Sequence, residues 1–366
     1  MPLFCVRHGE AAGLESAVSN LVTGLAASGV SVKLPYSSSQ RLNPEFLRSI
    51  EGSSNLSLER YPHIPGGMWT RFAEESIFLN IVKSRAPIIF PNYFLPPSLG
   101  RHGPLFVFIH DCQHKVYPQY FSIRKRMWLD MVFQHSLNRA QRVFLISEFE
   151  RSQLARFYGE SSVRNCTVVY NSIDWRRYTS GEVSDRIRAF SKGFFILSVS
   201  HQYPHKNTLL VIDAFLKLAQ RFPGLHLALV GRTSAATTER IAAIADPAVR
   251  ERIFPAGFIR DADLGCLYAA CRAFVLPSEY EGFGMPAVEA MGFGASVIAA
   301  GGSSLPEVTL GLATYVDPGS RAEVWAEAIA QELDATRDPA RLAAAAAAVR
   351  AKYDPKSIAL RVLEHL

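Results

Sequence analysis

The sequence predicts an α/β protein built from two doubly wound domains in tandem, each a parallel sheet with helices on both faces. Two patterns predict this. Short apolar runs alternate with longer helix-like segments along the chain, and the alternation restarts once, after an aperiodic charged stretch at Asp174–Lys192. The length, 366 residues, is enough for about two cores. The expected boundaries are an N-terminal domain over 1–173, a linker over 174–192 and a C-terminal domain over 193–366, whose last helix either stays there or packs back on the first domain.

Each element has its own reason. In the first domain the strand LFCV (3–6) precedes a helix over 14–28, and PIIF (87–90) and PLFVFIH (104–110) lead to a helix over 122–138. RVFLIS (142–147), a helix over 148–158 and CTVVY (166–170) complete it. Such unbroken apolar runs suit strands covered on both faces. The second domain runs FFILSVS, helix 207–221, LHLALVG, helix 235–244, RIFPAG, helix 261–270, AFVLPS, helix 286–292 and SVIAA. The six alanines at 343–348 are strong helix formers, and no repeat of 20 to 50 residues is evident.

Composition excludes several classes. Apolar residues at 48% and charged residues at 20% are ordinary for a globular chain and argue against disorder. The net charge of +6 lies N-terminal: residues 1–173 hold 18 basic and 12 acidic side chains, the remainder 21 of each. That charge is diffuse, with no recognition helix or aromatic RNA-binding signature, so nucleic acid is not an expected partner. The five cysteines are scattered without a C-x-x-C pair, which reads as reduced thiols and a cytoplasmic setting. No apolar run approaches a membrane span, and Met1–Gly9 lacks the apolar stretch of a signal peptide. Arg124, Lys125 and Arg126 with Trp128, Met131 and Phe133 suggest peripheral contact with an anionic membrane, against the alternative of a solvated helix face.

The densest chemistry is AFVLPSEYEGFGMPAVEAMGFG (273–294). An apolar strand ends in a polar loop, and Gly282-Phe283-Gly284 leads into a helix opened by Pro286. Glycines before a helix and proline at its start leave outward-pointing N–H groups, a site for a phosphate. Glu281 lies before the helix and Glu289 one turn inside it. Two carboxylates would repel one phosphate, so hydroxyls are their partners, and a nucleoside diphosphate sugar satisfies both demands.

A second reading is open here. Gly282, Gly284 and Ala287 also form the loose dinucleotide fingerprint, which makes a NAD-dependent oxidoreductase the rival. That fingerprint wants an acidic residue ending the next strand, and SVIAAGG has none. In SVSHQYPHKN, His201, His205 and Lys206 follow the first strand of the second domain, where α/β ligands bind, and Lys206 suits a diphosphate. Pro204 between the two histidines spoils a metal pair. In the first domain His110 and Asp111 stand at the same kind of strand end. Asp261 and Asp263 read as helix N-cap residues rather than metal ligands, and no metal site is predicted.

In these residues the chain resembles a family: the retaining GT-B glycosyltransferases of the glycosyltransferase family 4 type, especially bacterial mannosyltransferases of polysaccharide and O-antigen assembly. Glu281, Gly282, Phe283, Gly284, Met285, Pro286 and Glu289 stand in the places of that family's motif, two glutamates with seven residues between them. IHDCQHKVYPQYFS (109–122), RVFLISEFER (142–151), VVYNSID (168–174), HKN (205–207) and GFIRDADLGCLYAACRAFVLPSEYEGFG (257–284) extend the resemblance over nearly the whole chain.

The resemblance implies two Rossmann-like domains facing a central cleft, and transfer of a hexose, mannose first, from GDP-mannose or another GDP or UDP sugar to a saccharide or lipid-linked saccharide. It implies that Glu289 binds the ribose hydroxyls and that Glu281 with the amides of Phe283 and Gly284 meets the transferred sugar. Met285 belongs to the same donor-binding segment. Lys206 would hold the diphosphate, His110 would reach the donor sugar, and Gly13 resembles a glycine loop approaching the phosphates. Where many members carry arginine five residues before the lysine, this chain has His201, a titratable substitute, with Arg232 as a candidate compensation. Asn171-Ser172 replaces the family's Asn-Gly. The implied mechanism is retention without a lasting covalent intermediate, with no metal or other cofactor. A paralogue that binds a nucleotide sugar without transferring it is the remaining alternative.

Overall fold

The computed structural model describes residues 1–3, 12–38, 40, 42, 46–47, 50–62, 76–79, 85–96, 102–201 and 203–366. The expected strand over LFCV lies outside the described residues beyond Leu3, whose amide bonds the Pro35 carbonyl at 2.8 Å.

The chain divides into two compact units. One comprises Met1–Ile173 with Tyr353–Leu366, the other Asp174–Lys352. In the first, β3 (Ile88–Phe90), β4 (Leu105–Ile109), β5 (Arg142–Leu145) and β6 (Cys166–Val168) form a parallel sheet in that order. All five residues of β4 are buried, as an apolar run covered on both faces requires. The helix Ile123–Arg139 sends Leu129, Val132 and Phe133 into the core, and Glu148–Tyr158 starts on an N-cap serine, with the Ser147 hydroxyl accepting from the Glu150 amide at 3.1 Å. Two strands that the alternation did not predict, β1 (Val32–Ser37) and β2 (Leu56–Tyr61), pair in parallel as a separate small sheet. The helix Ala12–Ala27 packs against Pro355–Leu363, and a Cβ at Gly24 would stand against the Pro355 carbonyl.

The basic cluster on Ile123–Arg139 differs from expectation. Phe133 is buried, and Trp128 is half-buried against Tyr93 and Phe94. The exposed apolar side chains are Ile123, Met127 and Met131, at 65%, 68% and 57% exposure, which share a face because they are spaced four apart.

The second unit carries six parallel strands in the order β12-β11-β10-β7-β8-β9. They are β7 (Phe194–Val199), β8 (Leu225–Val230), β9 (Ile253–Gly257), β10 (Ala273–Leu276), β11 (Ser296–Ala300) and β12 (Thr314–Val316). Strands β7, β10 and β11 form its buried centre, covered by Thr208–Leu218, Met285–Gly292 and Ala322–Asp334. The stretch 174–192 groups with this unit. It forms a turn of 3-10 helix at Trp175–Tyr178 and a helix at Asp185–Phe190, anchored by the buried Tyr178 and Ile187.

Candidate active site

Strand order decides where the second unit can hold a ligand. From β7 the chain moves outward through β8 and β9, then returns to β10 on the other side and moves outward through β11 and β12. Loops leaving the carboxyl ends of β7 and β10 therefore diverge, and the crevice between them is the usual binding place of an open α/β sheet. Both loops carry the predicted residues.

Lys206 lies on a 3-10 turn, Pro204–Lys206, after β7, and Glu281 follows β10. Their side chains meet across the strand ends, Nζ to Oε1 at 2.9 Å, and are 17% and 13% exposed. Backbone ties hold the loops together: the Glu279 amide donates to the His205 carbonyl at 3.0 Å, and Asn207 Nδ2 donates to the Pro277 carbonyl at 3.2 Å. The Ser304 hydroxyl, from the loop after β11, donates to the Glu281 carbonyl at 2.8 Å. Three loops thus meet at Glu281, and Lys206 touches its carboxylate.

The helix Met285–Gly292 begins at the same edge. Its N-cap is Gly284 in the left-handed region, φ +80°, where a side chain would be strained and a Cβ would stand 2.5 Å from Leu305 Cδ2. Phe283 and Met285 are buried in the core, so a ligand here would meet their backbone rather than their side chains. Glu289, one turn inside, is 5% exposed and accepts from the Tyr268 hydroxyl at 2.8 Å. Burial pushes its carboxyl above the ordinary range, against the opposing pull of Tyr178, Arg177 and Tyr268.

Two histidines and an arginine gather at the ends of β7 and β8. His201 is half-buried, with its ring 5.5 Å from that of Phe258. Burial lowers its pKa, and the charges of Lys206 and Arg232 lower it further. Arg232, just beyond β8, is exposed. His205 is buried, stacks on Tyr203 and is pushed down to about 4, by burial first and then by Lys206.

Asp261 and Asp263 do not cap their helix. The N-cap of Asp261–Ala270 is Arg260. The Asp261 carboxylate instead accepts from Arg177 Nε at 2.7 Å, and Asp263 accepts from the Ser184 amide at 2.7 Å and from Arg260 Nε. Charged and backbone donors brought in by the 174–192 stretch take the place of the helix's own amides.

His110 and Gly13 lie in the first unit. His110, one residue beyond β4, donates from Nε2 to the Pro91 carbonyl at 2.8 Å, and burial lowers its pKa. It borders a small cavity of about 10 Å³, lined also by Phe108, Tyr170 and Asn171. Gly13 sits in the first turn of Ala12–Ala27 rather than in a loop, exposed and with open space around it.

Sequence reasoning missed Arg177, Tyr178 and Tyr268, which surround Glu289. Two aromatics three apart, Trp175 and Tyr178, inside a charged stretch were the available signal, because aromatics that large are seldom left in solvent.

The second unit's edge offers one sheltered cation, one carboxylate beside it, a buried carboxylate and a helix N-terminus, a set suited to an anion that also carries hydroxyls. The fingerprint glycines follow β10, the fourth strand of this unit, whereas a dinucleotide fold places them after its first.

Comparison with known proteins identifies the family. The family described as Glycosyltransferase Family 4 matches residues 11–177, and that described as Glycosyl transferases group 1 matches residues 181–349. The chain belongs to the GT-B glycosyltransferases of the family 4 type. It is 28% identical over 232 residues to O-antigen chain mannosyltransferase B of Escherichia coli, covering 62% of this chain and 60% of that protein. It is 27% identical over 223 residues to O-antigen chain mannosyltransferase RfbU of Salmonella typhimurium, covering 60% and 58%. A stretch of 120 residues is 38% identical to serotype-specific mannosyltransferase WbdA of Escherichia coli, covering 31% of this chain and 14% of that one. The matches thus span at most about three-fifths of these relatives' length. Among solved structures, sucrose-phosphate synthase of Thermosynechococcus elongatus shares the fold at 19% identity and a TM-score of 0.70, over 97% of this chain and 92% of that one. Anabaena HepE, solved with UDP and glucose, does so at 19% identity and 0.70, over 98% and 96%.

Proposed function

We propose that this family 4 chain transfers mannose from GDP-mannose, or another hexose from a GDP or UDP sugar, to a hydroxyl of a saccharide or lipid-linked saccharide, with retention of configuration. The observation that carries the reading is the Lys206–Glu281 pair at the crevice between β7 and β10, with Glu289 on the helix that follows. Mannosyltransferase relatives favour mannose.

In this reading Lys206 and Arg232 neutralise the donor diphosphate, His201 donates a hydrogen bond to it as a neutral imidazole, and the N-terminal amides of Met285–Gly292 face it. Glu281 accepts from hydroxyls of the transferred sugar and Glu289 from those of the ribose. The bond from the anomeric carbon to the diphosphate oxygen breaks. On the same face the acceptor oxygen bonds to that carbon and its proton passes to the departing phosphate oxygen. The protein's share is electrostatic: it stabilises charge as it builds on the diphosphate. His110 and Gly13 enter this reading by family resemblance alone.

Calorimetric titration with GDP, UDP, GDP-mannose and NADH, with and without EDTA, tests it. Micromolar binding of one nucleoside diphosphate family, unchanged by EDTA and weakened in Glu289→Ala, is expected. Binding of NADH alone, or of nothing, sinks it.

We further infer that the Ile123–Arg139 helix rests on an anionic membrane surface. Arg124, Lys125 and Arg126 occupy its first turn, where the helix dipole disfavours positive charge, beside the exposed Ile123, Met127 and Met131. Among the described residues no helix is long and apolar enough to cross a membrane. Sedimentation with anionic but not neutral vesicles at low salt is expected, and its loss on converting Ile123, Met127 and Met131 to serine; no sedimentation with either refutes the contact.

A further inference from the structure

Glu289 sits among groups that come from two other elements. From Asp261–Ala270 comes Tyr268, fully buried, whose hydroxyl donates to Glu289 Oε2 at 2.8 Å. From the 3-10 turn Trp175–Tyr178 come Tyr178, 5% exposed and also hydrogen-bonded to Glu289, and Arg177, whose charge acts on the same carboxylate. Arg177 is itself aimed by Asp261 through Nε at 2.7 Å, while its Nη1 is buried with no hydrogen-bond partner. Arg350, from Pro339–Lys352, reaches the Gly292 carbonyl at 2.6 Å at the far end of the Glu289 helix. The charged and titratable groups facing Glu289 are therefore Tyr268 and Asp261 on one side and Arg177 and Tyr178 on the other.

The fit is close. A Cβ at Gly292 would lie 2.3 Å from the Trp175 ring, and one at Gly265 would lie 2.5 Å from the Tyr178 carbonyl, so both helices carry glycine where the turn crosses them. Phe293 packs its ring against Trp175, Tyr178 and Tyr268. Such a cage restricts the rotamers of every member.

We propose that Tyr178, Tyr268 and Arg177 are positioning residues that hold the Glu289 carboxylate ionised and oriented to accept from a vicinal diol, the 2′- and 3′-hydroxyls of a nucleoside diphosphate. This deepens the donor-site reading and rests on it. A carboxylate buried to this degree reverts toward its neutral acid unless donors hold the charge, and a neutral acid accepts poorly from two hydroxyls at once. The tyrosine hydroxyls and the guanidinium supply that hold without forming the ligand contact themselves.

The test compares wild type with Tyr178→Phe and Tyr268→Phe, both of which keep the ring. Each is titrated calorimetrically from pH 5 to 8 with GDP or UDP, whichever wild type binds, and with the matching 2′,3′-dideoxynucleoside diphosphate. Melting temperature is followed in parallel. Loss of one hydrogen bond of about 1 kcal/mol gives roughly a fivefold weaker nucleotide complex. The dideoxy probe should bind all three proteins alike. Because the lost bond favoured the charged carboxylate, the acid limb of nucleotide affinity should move to higher pH in the variants.

Equal affinity and the same acid limb in a folded variant overturn the proposal. So does an equal loss for both probes, which marks general loosening. If one variant fails to fold, the other decides. Wild type that binds neither GDP nor UDP instead overturns the donor reading, and this proposal falls with it.

Discussion

Two polar clusters, one in each unit, use the same chemistry and differ in how it closes. In the first unit Asp130 collects Lys115 Nζ at 2.6 Å, the Tyr158 hydroxyl at 2.9 Å and His114 Nε2 at 3.2 Å. In the second, Glu289 collects Tyr268 and Tyr178 with Arg177 nearby. Asp130 is one-third exposed, and although burial lifts its carboxyl, the bonds from Lys115 and Tyr158 outweigh it and leave it below the ordinary range. Glu289 is shut away, and there burial outweighs its donors. The first cluster is satisfied within the protein and reads as architecture. The second retains an unpartnered guanidinium nitrogen beside a carboxylate held against its preference, the kind of tension found at ligand sites.

Substitutions can break or sharpen that contrast. The largest effect is expected from Lys206→Met at the second unit's edge. Removing one preorganised charge contact should cut the rate of sugar transfer by about 10²- to 10³-fold in protein that remains folded, as a radiolabelled-donor assay with a thermal melt as control would show. An unchanged rate would move the chemistry elsewhere.

Next in size is a pH effect at His205, which is 3% exposed and titrates near 4 when folded, against an ordinary value of 6.5. Its folded pKa is depressed, so the unfolded chain takes up the proton first on acidification. The stability it confers is whole above about 6.5 and falls away between 6.5 and 4, by roughly 3 kcal/mol. Urea unfolding across that window should show a steeper decline for wild type than for His205→Asn; parallel slopes would exclude the histidine as the cause.

The smallest effect belongs to the first unit. Tyr158→Phe should cost about 1 kcal/mol of stability, the worth of one hydrogen bond, while nucleotide affinity stays as in wild type. A weaker nucleotide complex would erase the distinction between the clusters.

Much of the second unit was legible because its strands are unbroken apolar runs, such as FFIL and AFVL, that end abruptly at polar loops. Lys206, Glu281 and Glu289 could be placed from those ends alone. Packing was not legible. The stretch 174–192 has no period because a four-residue 3-10 turn has none to show, yet the Trp175 ring seats on Gly292 and the Tyr178 backbone on Gly265, more than 80 residues away in sequence. The partners of Asp261 were hidden likewise, since Arg177 competes for it only once that turn is in place. On Ile123–Arg139 composition marked Phe133 and Trp128, but helical phase turns Phe133 into the core and brings Ile123 and Met127 out. Strands β1 and β2 escaped notice because VKLPYS and LSLERY mix polar with apolar positions, as strands of a half-exposed sheet do.

The first unit is made from two separated pieces of chain, with Tyr353–Leu366 rejoining Met1–Ile173. The Ile173 amide bonds the Tyr353 carbonyl at 3.0 Å, and Pro355–Leu363 packs against Ala12–Ala27, whose Val18, Leu21 and Leu25 are buried. During synthesis the ribosome therefore releases the whole of the second unit before the first can be finished. The usual order, in which the N-terminal part is complete first, does not hold here. Until residue 353 has emerged, the first unit waits with an uncovered helix, and it is in that interval that a nascent chain would most need a chaperone.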